Sequence, residues 1–281
     1  MIIMNMHTLM LENNECYRVG KMMTPKGIFM HSTGANNPNL NRYVGPDDGI
    51  LGRGKYNNHW NIRFPDGRSI CPHGFIGKLP DGTVATYQTL PWNMVGWHSG
   101  KGENGSANYM GYIGIEICED ALNDVDYADA AFAEFIEVAA YLCHTYNISP
   151  ENVISHKEGH AKGIASNHGD PENWFSALSK ITGKVITMDD IRNNIKRKID
   201  EKYGSKIKQK FTYIFAGNFD NKYIADDFLK TVRKTVPTAY VRFVNKKYVV
   251  QIGAFASEEN AERYIATMPL NIREHIHTVR M

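Results

Sequence analysis

Residues 113–116 read Ile-Gly-Ile-Glu, a short apolar run that delivers a carboxylate at its end. The same pattern recurs upstream, where Ile28-Phe29-Met30 leads into His31, and downstream, where Val153-Ile154-Ser155 leads into His156. Runs this short, bounded by turn signals, suit buried strands, and functional groups in open α/β sheets gather at the carboxyl ends of strands. Between the second and third runs, Phe132, Phe135, Ile136, Ala139, Leu142 and Cys143 mark one face of a helix, with Asp126 as its expected N-cap. Strand, helix and strand in that order predict an α/β domain, with a central mostly parallel or mixed sheet and helices packed on it.

The 281 residues are enough for one medium domain and one small one, and 42% hydrophobic with 22% charged residues is ordinary for a soluble globular chain. The first residues, MIIMNMHTLMLENN, carry neither a basic leader nor an apolar run of signal-peptide or membrane-span length. A chain made in the cytoplasm without a signal peptide is therefore expected, and a membrane is not expected as partner. Cys16, Cys71, Cys118 and Cys143 lack CxxC spacing, which argues against a disulfide framework or a Cys-rich zinc cluster.

Charge divides the chain. Residues 205–281 hold 13 Lys and Arg against 7 Asp and Glu, while residues 1–204 hold 19 against 23. A basic tail on a mildly acidic body suits an anionic or glycan-rich surface, although solvation alone explains the lysines equally well; nucleic acid is not expected. Thr187 caps a predicted helix through Asp189, Ile191, Ile195 and Ile199, and Gly204-Ser205-Lys206 stops it. The expected division is a domain at 1–203, a linker at 204–210 and a second domain at 211–281.

The tail nearly repeats itself at a spacing of 36 residues: Ile214, Gly217, Phe219, Ala225, Phe228 and Leu229 fall opposite Val250, Gly253, Phe255, Ala261, Tyr264 and Ile265. Each copy reads as a strand ending in Gly-x-Phe, an amphipathic helix and a further strand (239–245 and 276–281), which predicts a small α+β domain of βαββαβ order. Core packing is the favoured reading of Phe219 and Phe255. Tyr-Val-Val-Gln-Ile-Gly-Ala-Phe at 248–255, followed by Ser257, Glu258, Ala261 and Glu262, resembles a SPOR domain. That resemblance implies binding to the glycan strands of peptidoglycan.

Eleven histidines invite a metal reading, and position selects among them. His31 and His156 both end apolar runs, so their rings can converge from strand ends. A catalytic zinc takes three protein ligands and leaves one position open. His160, His168 and Asp170, all on the segment after His156, are candidates for the third. The run His-Lys-Glu-Gly-His at 156–160 departs from the His-Glu-x-x-His of zincins, because its glutamate is misplaced and Gly159 weakens a helix. Glu116, at the end of an apolar strand and partly desolvated there, is the best candidate for a general base.

Taken together, His31-Ser32-Thr33-Gly34, Pro72-His73-Gly74-Phe75-Ile76, Gly96-Trp97-His98-Ser99-Gly100, Ile113-Gly114-Ile115-Glu116, Ser155-His156-Lys157-Glu158 and His168-Gly169-Asp170-Pro171 resemble, in order, the zinc amidases of the N-acetylmuramoyl-L-alanine amidase type 2 family, which share their fold with peptidoglycan recognition proteins. The resemblance implies Zn2+ held by His31, His156 and Asp170, with His168 as third ligand in a competing arrangement. It implies Glu116 as base, and His168 standing where many members carry an oxyanion-steadying Lys. Pro72 occupies the place of a catalytic Tyr found in some members, a role then absent or filled by another residue. His73, Trp97, His98 and Asn108 are implied to contact substrate, and the Gly- and Asn-rich segment 43–70 is expected to border the groove and tune which stem peptide fits. The implied partner is bacterial peptidoglycan, through both stem peptide and glycan strand. A phage endolysin acting on the wall after release is the leading reading; a bacterial autolysin or sporulation amidase and a non-catalytic recognition protein are the alternatives.

Overall fold

The computed structural model describes residues 4–204, 212–255 and 257–280, and the chain divides into two compact units, Met1–Ile207 and Lys208–Met281. Apart from Gly204, the expected linker lies outside the described residues. In the first unit the elements run β1 (Met6–Thr8), α1 (Glu15–Val19), β2 (Gly27–Ser32), β3 (Gly74–Lys78), β4 (Val84–Gln88), β5 (Tyr112–Ile117), α2 (Val125–Tyr146), β6 (Val153–Ser155), α3 (His156–Ala161), α4 (Glu172–Thr182) and α5 (Met188–Tyr203). The six strands form one mixed sheet in the order β1-β4-β3-β5-β2-β6. Only β3 and β4 pair antiparallel.

The three apolar runs are the neighbouring strands β5, β2 and β6. All six residues of β2 are buried, as expected of a strand covered on both faces. Strand alternation then sorts the side chains. Ile28, Met30, Ile113, Ile115, Ile117 and Val153 pack with α2, α4 and α5 in the largest core. On the other face, Leu40, Tyr43, Val44 and Leu51 form a second core with Phe75, Ala85 and Tyr87. The segment after Tyr43, expected as a loop at the groove, thus contributes an apolar layer over β3 and β4. His31 and Glu116 lie on this second face, beside that layer.

The cap of α2 differs from expectation. Asp124, in extended backbone geometry, accepts from the Tyr127 N–H and is the N-cap. Asp126 falls inside the first turn, where a carboxylate still favours the helix dipole without capping it. Helix α5 starts as read: Thr187 and Asp190 form a reciprocal capping box, and Ile191, Ile195 and Ile199 are buried. All four cysteines are free; Cys71 and Cys118 lie in the loop-side core and Cys143 in the helix-side core.

The second unit runs β7 (Thr212–Phe219), α6 (Lys222–Arg233), β8 (Tyr240–Val244), β9 (Lys247–Phe255), α7 (Glu258–Ala266), α8 (Leu270–Arg273) and β10 (Ile276–Arg280). Its antiparallel sheet has the order β10-β7-β9-β8, the expected βαββαβ arrangement with one extra helical turn. Ile214, Ala216, Val250 and Ile252 share a core with Leu229, Val232 and Ala261. Gly-x-Phe has a steric reason at its first occurrence: Gly217 has φ +73°, and a Cβ there would stand 2.2 Å from the Phe219 ring. That ring packs on Phe228, with centroids 5.4 Å apart, in keeping with a core role.

Candidate active site

Register brings the first two candidates together, since His31 on β2 is the Cα partner of Glu116 on β5. The third comes from a change of secondary structure: β6 ends at Ser155, which caps α3 in a reciprocal box with Glu158, so His156 is the first residue of that helix. Asp170 is tied to the same spot because its carbonyl accepts from the His156 N–H at 3.1 Å and its Oδ2 accepts from the Ser32 N–H at 3.3 Å. The result is a tight cluster: His31 Nδ1 lies 3.2 Å from Asp170 Oδ2 and 3.1 Å from His156 Nδ1, and His156 Nδ1 lies 3.5 Å from Asp170 Oδ1.

The surrounding hydrogen bonds decide which nitrogens face inward. His98 Nε2–H donates to the Tyr112 carbonyl at 3.1 Å, which leaves His98 Nδ1 to accept from His31 Nε2–H at 2.9 Å. In the neutral ring, His31 Nδ1 then carries a lone pair toward the cluster. The same logic holds for His156: Ser166 Oγ donates to the Ser99 carbonyl at 3.3 Å and accepts from His156 Nε2–H at 3.2 Å. Burial favours the neutral form of His31 and outweighs the opposing pull of Asp170. Burial would raise the Asp170 carboxyl, but the adjoining His156 and His31, donors whenever either Nδ1 carries a proton, hold it well below the usual carboxylate range.

Two inward imidazole lone pairs and a carboxylate are a donor set that fits a divalent metal such as zinc. Phe29 locks the rings in place, with centroids 5.3 Å from His31, 5.7 Å from His98 and 6.2 Å from His156. Glu116 stands beside the cluster with its Oε2 closed off from solvent and without a hydrogen-bond partner. Burial pushes its carboxyl well above the ordinary range, and the charges of Asp170 and Glu119 push the same way. His168 sits at the mouth: its side chain is 63% exposed, its Nδ1 is 4.0 Å from Asp170 Oδ1, and its ring centroid is 4.6 Å from that of His156.

The four expected substrate contacts separate. Trp97 is 45% exposed and free to meet a ligand. His73 is fully buried; its Nδ1 accepts from the Gly114 N–H at 3.0 Å and its Nε2–H donates to the Met94 carbonyl at 2.7 Å. With both nitrogens occupied, and burial pushing its pKa down to about 4, it is a neutral framework residue rather than a contact. Asn108 is also buried, its Oδ1 accepting from the N–H groups of His98 and Ser99 and from the Ser99 hydroxyl. It shapes the turn that carries His98. His98 reaches the site through His31, and burial pushes its pKa well below the usual imidazole range. The glycine of the Ile-Gly-Ile-Glu run makes room for it, since a Cβ on Gly114 would lie 2.3 Å from the His98 ring.

Sequence reading missed Phe29, Ser166 and Glu119. Glu119 accepts a short hydrogen bond from the Ser32 hydroxyl next to His31. Only Phe29 carried a signal, as the residue two before a candidate ligand on a strand and hence on the same face. A cleft of about 390 Å3 lies against Ser166, lined by Lys101, Glu103, His160 and Asn167 among others.

Comparison with known proteins finds matches to both units. The family described as N-acetylmuramoyl-L-alanine amidase matches residues 21–173, a span that includes His31, Glu116, His156 and Asp170. The SPOR domain matches residues 208–275. The chain is 34% identical over 153 residues to N-acetylmuramoyl-L-alanine amidase XlyA of Bacillus subtilis (strain 168), covering 50% of this chain and 39% of that protein. It is 40% identical over 96 residues to N-acetylmuramoyl-L-alanine amidase CwlH of the same organism, covering 34% and 36%. The match thus spans less than half the length of these relatives. The solved catalytic domain of XlyA aligns with 68% of this chain and 99% of its own, at 27% identity and a TM-score of 0.42. With more than half of its residues inside the family match, and His31, Glu116, His156 and Asp170 within that span, this chain belongs to the N-acetylmuramoyl-L-alanine amidase family.

Proposed function

We propose that the chain hydrolyses the amide bond between N-acetylmuramic acid and L-alanine in bacterial peptidoglycan, as a zinc-dependent lytic amidase of the endolysin kind. The observation that carries this reading is the convergence of His31 Nδ1, His156 Nδ1 and an Asp170 oxygen on one point beside Glu116. His31, His156 and Asp170 would hold the ion. Zinc bound there supplies Lewis acidity, lowering the pKa of water and drawing charge from the amide oxygen.

Glu116 takes the proton from the attacking water and passes it to the departing alanine nitrogen, leaving a lactyl carboxylate on the sugar and a free amine on the stem. A carboxyl raised by burial suits this double duty, because its proton affinity lies nearer the working pH than that of a free glutamate. His168, exposed at the mouth, donates an N–H to the carbonyl oxygen as charge builds there. Trp97 offers a face to sugar or peptide, and the cleft beside Ser166 is suited to part of the stem. Residues 1–203 form the catalytic part, 204–210 the tether and 211–281 the part that holds glycan strands. Among the described residues no helix is long and apolar enough to cross a membrane, and the site of action is the cell wall.

The test is to incubate the full chain with purified walls, with and without a chelator, and to assay new L-alanine amino termini and reducing ends. Amino termini that appear only with metal are expected. Release that persists in chelator would overturn the zinc mechanism, and reducing ends in place of amino termini would make the enzyme a glycosidase.

A further inference from the structure

Three buried polar atoms on the site face of the sheet lack a hydrogen-bond partner: the hydroxyl of Tyr43, Nε1 of Trp60 and Oε2 of Glu116. The fold sets them near one another. Phe75 on β3 is the Cα partner of Glu116 on β5, and the Tyr43 ring lies nearly flat on the Phe75 ring, with centroids 5.1 Å apart and planes 14° apart. Trp60 closes edge-on against both rings, at 5.9 Å from Tyr43 and 5.3 Å from Phe75. Tyr43 is 2% exposed, so packing rather than solvent decides where its hydroxyl sits.

Four other groups bear on that hydroxyl: Cys118, Thr33, Arg42 and Glu116. Arg42, a donor only, lies over the ring face 5.2 Å from its centroid and offers no acceptor. Cys118 offers only a weak sulfur partner. Thr33 is close enough to pull on the Tyr43 hydroxyl as a weak partner, but its Oγ1 already accepts from the Glu119 N–H at 3.0 Å and no hydrogen bond of good geometry joins it to Tyr43. Glu116 is the remaining group, and it lacks a donor as Tyr43 lacks an acceptor. A buried hydroxyl and a buried carboxylate oxygen each carry a penalty when unmatched, and a hydrogen bond to a charged group is among the stronger ones.

We propose that Tyr43 is a positioning residue for the base: its hydroxyl hydrogen-bonds the enclosed oxygen of Glu116 during turnover and fixes the carboxylate toward the reacting water. The inference rests on the reading of Glu116 as base. It also gives the apolar layer around Tyr43 a part in the chemistry, because that layer holds the donor.

The experiment is a double-mutant cycle in the full-length, metal-loaded protein with Y43F and E116Q, reading kcat and KM on a soluble muramoyl peptide and the melting temperature of each variant. Phenylalanine keeps the ring stack and removes only the hydroxyl. Y43F is expected to lower kcat by about 10- to 100-fold, the worth of one hydrogen bond to a charged group, with KM and melting temperature little changed. In the E116Q background the same substitution is expected to change the residual kcat by less than about twofold. Wild-type kcat in Y43F, or an equal loss in both backgrounds, would overturn the role of Tyr43. Wild-type kcat in E116Q would remove the base assignment and this inference with it, whereas an impaired E116Q beside an unimpaired Y43F would remove Tyr43 alone.

Discussion

At Glu116, the burial that suits the proposed base works against the fold. Its carboxyl holds its proton to a higher pH in the folded chain than in the unfolded one. Between those two pKa values the native state binds more protons, so unfolding free energy falls as pH rises through the ordinary carboxylate range and levels off only above the folded value. Glutamine at this position carries no such penalty. In chelator, E116Q is expected to melt above the wild type at pH 7 to 8, with the gap closing near pH 4, as followed by calorimetry; a constant gap would mean that charge is not its source. Turnover is expected to fall by about 10² to 10⁴ in the same variant. Glu116, His31 and His156 were legible in the sequence because each closes an apolar run. The duties of His73, His98 and Asn108 were not, because their partners are backbone groups of remote segments, namely Met94, Gly114, Tyr112 and Ser99. No local pattern announces a bond to a backbone group contributed by another segment.

Among the elements, α5 and α2 show why one boundary reads cleanly and another does not. Thr187 followed by Asp190 and isoleucines four apart permits one start. Before α2, Asp124 and Asp126 are both good capping residues, and the choice falls to the chain path after Leu122, which takes φ 62°. The turn at 97–100 between β4 and β5 depends more heavily on one side chain. Asn108 Oδ1 gathers three donors there, and its Nδ2 donates to the Gly100 carbonyl at 3.3 Å. N108A leaves the His98 and Ser99 N–H groups buried without acceptors, with an expected loss of about 2 to 4 kcal/mol. Urea denaturation measures this directly. Because His98 holds the tautomer of His31, metal affinity measured by competition with a chromogenic chelator should weaken in the same variant.

Across the whole molecule, the two units have separate cores. Damage confined to one should therefore be readable apart from the other. G217V places a β-branched residue at φ +73° with its Cβ 2.2 Å from the Phe219 ring, a conformation such a side chain does not tolerate. The expected outcome is loss of one of two melting transitions, weaker retention on stripped glycan strands in pull-down, and unchanged kcat on a soluble muramoyl peptide. A uniform loss of both functions would mean that the units fold as one. Loss of wall retention alone would also measure how far a tethered second contact raises local enzyme concentration. The thiols lend the first unit a different use. Cys71 and Cys118 lie under the loop-side layer and Cys143 under the helices, while Cys16 is partly accessible. The protein thus carries its own isotope-free clocks: the order in which a thiol reagent reaches these sulfurs records which layer of the sheet breathes first.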